Sequence, residues 1–214
     1  MKIMKNILCF GDSNTWGYNP DTKGRYPWGV RWTSKLQNKL EPKEYNIIEQ
    51  GLCGRTTVYE DISRPNRKGI DALSEVLNNS NDIDYVIIML GTNDCKKYYK
   101  NSAREIAKGV EKCLDVILEH VAPENILLIS PITLGNSVWK DEFDPEFDIE
   151  SVETSKYLKK EYIKVANEKN VNFLAASEYA SPSKADQEHL DESGHTQLAN
   201  AIYDSICKID LKSA

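Results

Sequence analysis

The chain has 214 residues, 40% of them apolar and 28% charged, with a formal net charge of -6. That length supports one ordinary core, and the composition excludes both global disorder and a membrane-embedded protein. The acidic balance, with no basic stripe interleaved with aromatics, argues against a nucleic-acid partner, whose phosphates need a concentrated positive footprint.

The first apolar run, Ile7–Phe10, is interrupted at Gly11 and Asp12. It is too short for a secretory h-region or for crossing a bilayer, and it predicts a buried strand over Asn6–Phe10. A helix beginning near Trp28 is expected to follow Pro27 and to end before Pro42. Strands are predicted next at Tyr45–Glu49 and Tyr85–Leu90. The clearest helix is Ser102–Val121, whose apolar residues Ile106, Ala107, Val110, Cys113, Leu114, Ile117, Leu118 and Val121 form one stripe. Ser102 and Glu105 have capping-box spacing, and Pro123 stops the element. A fourth strand is predicted at Ile126–Ser130. Pro131–Ile149 then shows no convincing period; following a strand's C-terminal end, it is the candidate substrate-facing loop. A fifth strand, Val171–Leu174, and a final helix over about Gly194–Leu211 complete the chain. That helix carries Leu198, Ala199, Ile202, Ile206 and Ile209 on one side.

The runs YVIIML and ILLIS are continuous rather than alternating, as expected for a parallel sheet covered on both faces. Strand–helix alternation predicts a three-layer α/β/α sandwich, one domain spanning 1–214. The five cysteines, Cys9, Cys53, Cys95, Cys113 and Cys207, are odd in number and form no CxxC pair. Neither a disulfide framework nor a thiolate zinc site is expected, and a reducing, cytoplasmic location is. Cys9 and Cys113 read as small buried hydrophobes.

Three loops after strands carry chemistry. In FGDSNTWG, Ser13 follows the first strand; Gly11 permits a tight turn and Asp12 can brace it by bonding to backbone amides. In GLCGRTT, Gly54 can present its N–H with no side chain in the way. In LGTND, Asn93 can aim its amide at a developing oxyanion while Asp94 organises the loop. Each segment taken alone also suits a plain polar or Asx turn. Of the three histidines, His120 ends a helix and reads as structural. His189 follows Asp186 by three residues, so a tight loop can place the carboxylate on one ring nitrogen and leave the other for Ser13. His195 lacks an equally spaced acid upstream, although Asp191 and Glu192 are near.

These segments, in this order, resemble the GDSL/SGNH hydrolase superfamily: GDSNTWG its nucleophile block, GLCGRTT its glycine block, GTND its asparagine block and DQEH its Asp-x-x-His block. The resemblance spans residues 11–189 and looks closest to the arylesterase/acyltransferase branch through ILCFGDSNTWG, VRWT, IEQGLCGRTT and VIIMLGTND. It implies a flavodoxin-like sandwich with a five-stranded parallel sheet. It implies Ser13 as nucleophile, His189 and Asp186 as its charge system, and an oxyanion hole of the Ser13 and Gly54 amides and the Asn93 side chain. Asp12 and Asp94 support the site. Asn14 stands where GDSL itself has leucine; Asn14, Trp16 and Trp139 are candidate substrate-lining residues.

The expected activity is hydrolysis of short-acyl carboxylic esters, with acyl transfer to alcohols as a second outcome and no metal or organic cofactor. Simple esters and acetylated sugars both suit Trp16, Tyr18, Tyr26 and Trp28. A long-chain lipase is disfavoured, because no interfacial helix appears in the pattern. Homo-oligomers occur in the branch, and Trp139, Phe143 and Phe147 suit either an interface or the shielding of a site. Two rival readings are a metal-assisted phosphoesterase using Asp12, Asn93, Asp94, Asp186 and His189, and a non-catalytic binding or assembly protein on the same scaffold.

Overall fold

A computed structural model describes residues 4–41, 44–80 and 82–213, with side chains described to residue 208. Five strands form the central sheet: β1 (Lys5–Gly11), β2 (Tyr45–Gly51), β3 (Tyr85–Met89), β4 (Ile126–Ser130) and β5 (Asn172–Ala175). All neighbours are parallel, in the order β2-β1-β3-β4-β5. Chain order and sheet order part company at β1, the first strand but the second in space. There the connections leave in opposite directions and open a crevice at the strands' C-terminal ends.

Alternate strand residues serve opposite faces. Leu8, Phe10, Val86, Ile88 and Leu128 pack into one apolar cluster, against α3 (Gly69–Asn78), α4 (Ala103–Leu118) and α5 (Ile149–Lys169). Ile7, Cys9, Ile87, Met89, Leu127 and Ile129 face the other, against α2 (Trp32–Lys39) and α6 (Glu192–Ser213). Burial on both faces is why β3 and β4 read as unbroken apolar runs. This is the expected three-layer α/β/α sandwich. Cys9 and Cys113 are fully buried, one in each cluster.

The structure adjusts several boundaries. Helix α4 begins after Ser102 with both halves of the capping box formed: Glu105 N–H donates to Ser102 Oγ (3.3 Å), and Ser102 N–H to Glu105 Oε2 (2.8 Å). Such a cap contributes about 1 kcal/mol. The helix expected from Trp28 starts instead at Trp32. Before it, Gly29 is left-handed (φ 93) and donates to Ser34 Oγ, while the extended Arg31 reaches across to Glu49, so the chain cannot coil there. Pro42, the expected stop of this helix, and the Ile209 side chain lie outside what is described. Residues 131–148 contain neither helix nor strand, as expected.

Candidate active site

The first loop is a strand-to-helix turn. At its start, a Cβ on Gly11 would stand 2.1 Å from Thr15 Oγ1 and 2.7 Å from the Met89 carbonyl, so only glycine fits. Asp12 Oδ1 caps the one-turn helix α1 (Ser13–Trp16) by accepting from Asn14 N–H at 3.0 Å. Ser13 therefore heads a helix directly beyond β1, and among the described residues no protein acceptor takes its N–H.

The second and third loops are tied together. Asp94, in the 3-10 turn Asn93–Cys95, is fully buried and accepts from Thr57 N–H (3.0 and 3.2 Å) and Thr57 Oγ1. Burial pushes its carboxyl up to about 6 against the pull of these bonds. Asn93 Nδ2 donates to the Arg55 carbonyl at 3.1 Å. An amide nitrogen has two hydrogens, so one is left for the cleft that Asn93 lines. Gly54, beside Arg55, is left-handed (φ 81), and a Cβ there would meet nothing nearer than 3.6 Å. Glycine thus supplies the left-handed backbone conformation there. The Gly54 N–H, like that of Ser13, has no protein acceptor among the described residues.

The fourth loop brings the histidine. Asp186 Oδ1 accepts the backbone N–H groups of Glu188 and His189, both at 3.0 Å, and Gln187 is left-handed (φ 65), which closes a tight turn. The turn leaves Asp186 Oδ2 2.6 Å from His189 Nδ1, and His189 Nε2 2.7 Å from Ser13 Oγ. With Nδ1–H donating to the carboxylate, Nε2 is free to accept the serine hydroxyl. For Asp186, burial raises the carboxyl, but the bonds from His189 prevail and hold it below the usual range. For His189, burial lowers the ring, but the Glu188 and Asp186 carboxylates prevail and raise it above an ordinary imidazole.

Ser13, Gly54, Asn93, Asp186 and His189 line one cleft of 320 Å³. Two larger recesses, of 840 and 790 Å³, contain none of these residues. Glu142, Phe143 and Asp144 form part of the cleft wall, so the irregular segment does reach it. Of the residues expected beside the substrate, Tyr18 borders the cleft with its ring centroid 4.3 Å from that of His189, whereas Asn14, Trp16 and Trp139 do not border it. Asn14 is buried, its Oδ1 accepting Leu190 N–H at 2.9 Å, so it ties the serine loop to the histidine loop. Trp16 lies under the Arg25 guanidinium and Trp139 bonds the Asn136 carbonyl; neither borders the cleft. Phe147, an interface or shielding candidate, is a core residue instead, 1% exposed. The sequence reading missed Lys96, Arg64, Cys53 and Glu188 in the wall. Glu188, adjacent to His189, and Cys53, adjacent to Gly54, carried a local signal.

The other histidines are elsewhere. His120 is exposed beyond α4. His195 is fully buried, accepts Trp32 N–H at 3.2 Å on Nδ1 and meets the edge of Tyr26; burial pushes it down to about 3, which makes it a neutral packing residue. Of the groups in the metal reading, Asp186 and His189 meet, but among the described residues no three His, Cys, Asp or Glu side chains are placed to hold one ion.

The profile of the GDSL-like lipase/acylhydrolase family matches residues 9–198. A carbohydrate acetylesterase from Sinorhizobium meliloti, Est24, is 32% identical, with 96% of this chain and 99% of that one covered and a TM-score of 0.85. The M. smegmatis aryl esterase is 29% identical over 96% of this chain and 99% of that one, with a TM-score of 0.86. A further solved structure is 36% identical over 97% and 99%, with a TM-score of 0.90. No curated protein matches. The fold, the family profile and these structures agree: the chain belongs to the GDSL-like lipase/acylhydrolase family, in its esterase/arylesterase branch, and is a carboxylic ester hydrolase of the serine-hydrolase type.

Proposed function

We propose that Ser13 is the nucleophile of this esterase and that His189, oriented by Asp186, is its general base and acid. The observation that carries the reading is the unbroken relay Asp186 Oδ2–His189–Ser13 Oγ, with spacings of 2.6 and 2.7 Å. His189 Nε2 takes the hydroxyl proton as Ser13 Oγ attacks the ester carbonyl carbon. The resulting oxyanion is met by the Ser13 and Gly54 N–H groups and the spare N–H of Asn93, each worth about 3–4 kcal/mol when well aimed. Collapse breaks the carbon–oxygen bond to the alcohol, which leaves with the proton from Nε2. Water, deprotonated by the same nitrogen, then releases the acid and restores Ser13; an alcohol in place of water gives acyl transfer.

The 320 Å³ cleft suits short acyl groups, and the likeness to an aryl esterase and a carbohydrate acetylesterase leaves simple and sugar esters as the two substrate classes. Asp12 and Asp94 act by fixing loops. The chain is read as a single catalytic domain. Among the described residues no helix is long and apolar enough to cross a membrane. The five free thiols support a reducing, cytoplasmic location. Ser13→Ala is expected to abolish both turnover of p-nitrophenyl acetate and covalent labelling by a fluorophosphonate, read by mass spectrometry; retained turnover overturns the assignment.

A further inference from the structure

Glu188 stands in the cleft wall as a carboxyl group that the protein itself does not satisfy. Its side chain is 8% exposed, yet among the described residues no N–H or O–H donates to its carboxylate. Its Oε1 stops 3.8 Å from His189 Nε2, beyond hydrogen-bond reach. That nitrogen is already engaged by Ser13 Oγ. Lys96, whose charge acts on Glu188, has its ammonium tied to Glu146. Burial raises the Glu188 carboxyl accordingly. Its oxygens face the open cleft, where water can meet them, so a bound molecule that displaces that water must supply the donor in its place.

The position of Glu188 says which part of that molecule it meets. Nε2 of His189 gives its proton to the departing alcohol oxygen, so a carboxylate beside Nε2 lies on the leaving-group side, not the acyl side. An apolar alcohol packed there would leave Glu188 unsatisfied. The same wall holds the cations of Lys23, Arg64 and Lys96 and the carboxylates of Glu142, Asp144 and Asp186, so a group that both donates and accepts matches it better than a lone charge. A hydroxyl on the carbon next to the esterified one suits this mixed wall, since it can donate to Glu188 and still accept from a neighbouring cation.

We propose that Glu188 is a specificity-determining residue that accepts a hydrogen bond from a hydroxyl adjacent to the ester oxygen, so that the preferred substrates are short-acyl esters of vicinal polyols. This rests on the serine-esterase reading above. Glu188 takes no proton in the step: the ester bond breaks, and the leaving oxygen is protonated from His189.

The test compares kcat/KM for glycerol 1-monoacetate and propyl acetate, which share the acyl group and chain length and differ in the hydroxyls. It is run on the unmodified chain, Glu188→Gln and Glu188→Leu, with fluorophosphonate labelling of Ser13 and the thermal midpoint as controls. The unmodified enzyme should prefer the glycerol ester by about 10–100-fold, the worth of one hydrogen bond to a charged group. In Glu188→Leu that ratio should collapse to near unity. Glu188→Gln, whose amide oxygen still accepts, should lie between. Labelled, folded Glu188→Leu with the ratio unchanged overturns the proposal and leaves the esterase reading standing. So does a preference for acetylcholine over 3,3-dimethylbutyl acetate that vanishes in Glu188→Gln, because the carboxylate then reads a cation. Absence of labelling and of turnover in the unmodified chain overturns the esterase reading and this proposal with it.

Discussion

Replacing Asn93 with alanine separates two jobs that one amide performs. One Nδ2 hydrogen is held by the Arg55 carbonyl at 3.1 Å; the other is free at the wall of the cleft. Losing the free donor removes one oxyanion contact, which corresponds to about 3 kcal/mol, or a fall of about 10²–10³ in kcat. KM should change little, because the donor meets the substrate most strongly once the carbonyl oxygen has become an oxyanion. Losing the held donor strands the Arg55 carbonyl and costs about 1–3 kcal/mol of stability. For a chain of this size that lowers the thermal midpoint by about 2–4 °C per kcal/mol. The assay is steady-state hydrolysis of p-nitrophenyl acetate at a temperature where the variant is folded by circular dichroism, with a thermal melt alongside. A kcat within about threefold of the parent, in a folded variant, would refute an oxyanion role for Asn93.

Two further outcomes follow from the same geometry. Asp186→Asn keeps the shape of the turn but favours the imidazole tautomer that cannot accept from Ser13, so kcat should fall by about 10⁴ with the melting curve little changed; a loss under about tenfold would remove Asp186 from the charge system. The pH profile has a definite sign. His189 must be neutral to take the serine proton, and its raised value means that this condition is met only above the ordinary imidazole value of 6.5. The acid limb of kcat/KM should therefore lie above 6.5 and move down in Glu188→Gln, which removes the first of the three carboxylates, those of Glu188, Asp186 and Asp12, that raise it. A limb below 6.5, or one indifferent to Glu188, contradicts the charge arrangement.

The parts legible in the sequence are those set by local pattern. β3 and β4 read as strands because burial on both faces forces apolar residues at every position. Asp186 and His189 read as a pair because a three-residue turn suffices to join them. The parts that were not legible depend on distant partners. Asn14 was expected to face substrate, but Leu190, 176 positions away, claims its oxygen. His195 is neutral because Trp32 and Tyr26 come from the far end of the chain to enclose it. Helix α5 begins at a capping box formed by Asp148 and Ser151, yet its exposed charges dilute the apolar stripe, and its start lies against the irregular segment. Lys96 and Arg64 look like solvated charges in sequence and become wall residues only when both reach Glu146.

The hydrogen bonds that build the proposed catalytic site are therefore largely ones between its own loops. Each proposed reacting group sits on a connection beyond a strand, and such connections are the most mobile parts of a fold. Here every such loop is bonded to another: Asn14 to Leu190, Asp94 to Thr57, Asn93 to Arg55, and Gly135 N–H to the Gln187 carbonyl at 2.7 Å. The last of these joins the irregular segment to the histidine turn. Oxyanion donors are effective only if they are already aimed when charge develops, because reorienting them during the reaction would spend the stabilisation they provide. The buried ties hold that aim. They also explain why Asp12 and Asp94 sit in surroundings that disfavour their charge, with values pushed up to about 7 and about 6. Each has an oxygen bonded to the backbone of a loop that carries a proposed oxyanion donor, so two carboxyl groups in unfavourable surroundings serve to fix those loops.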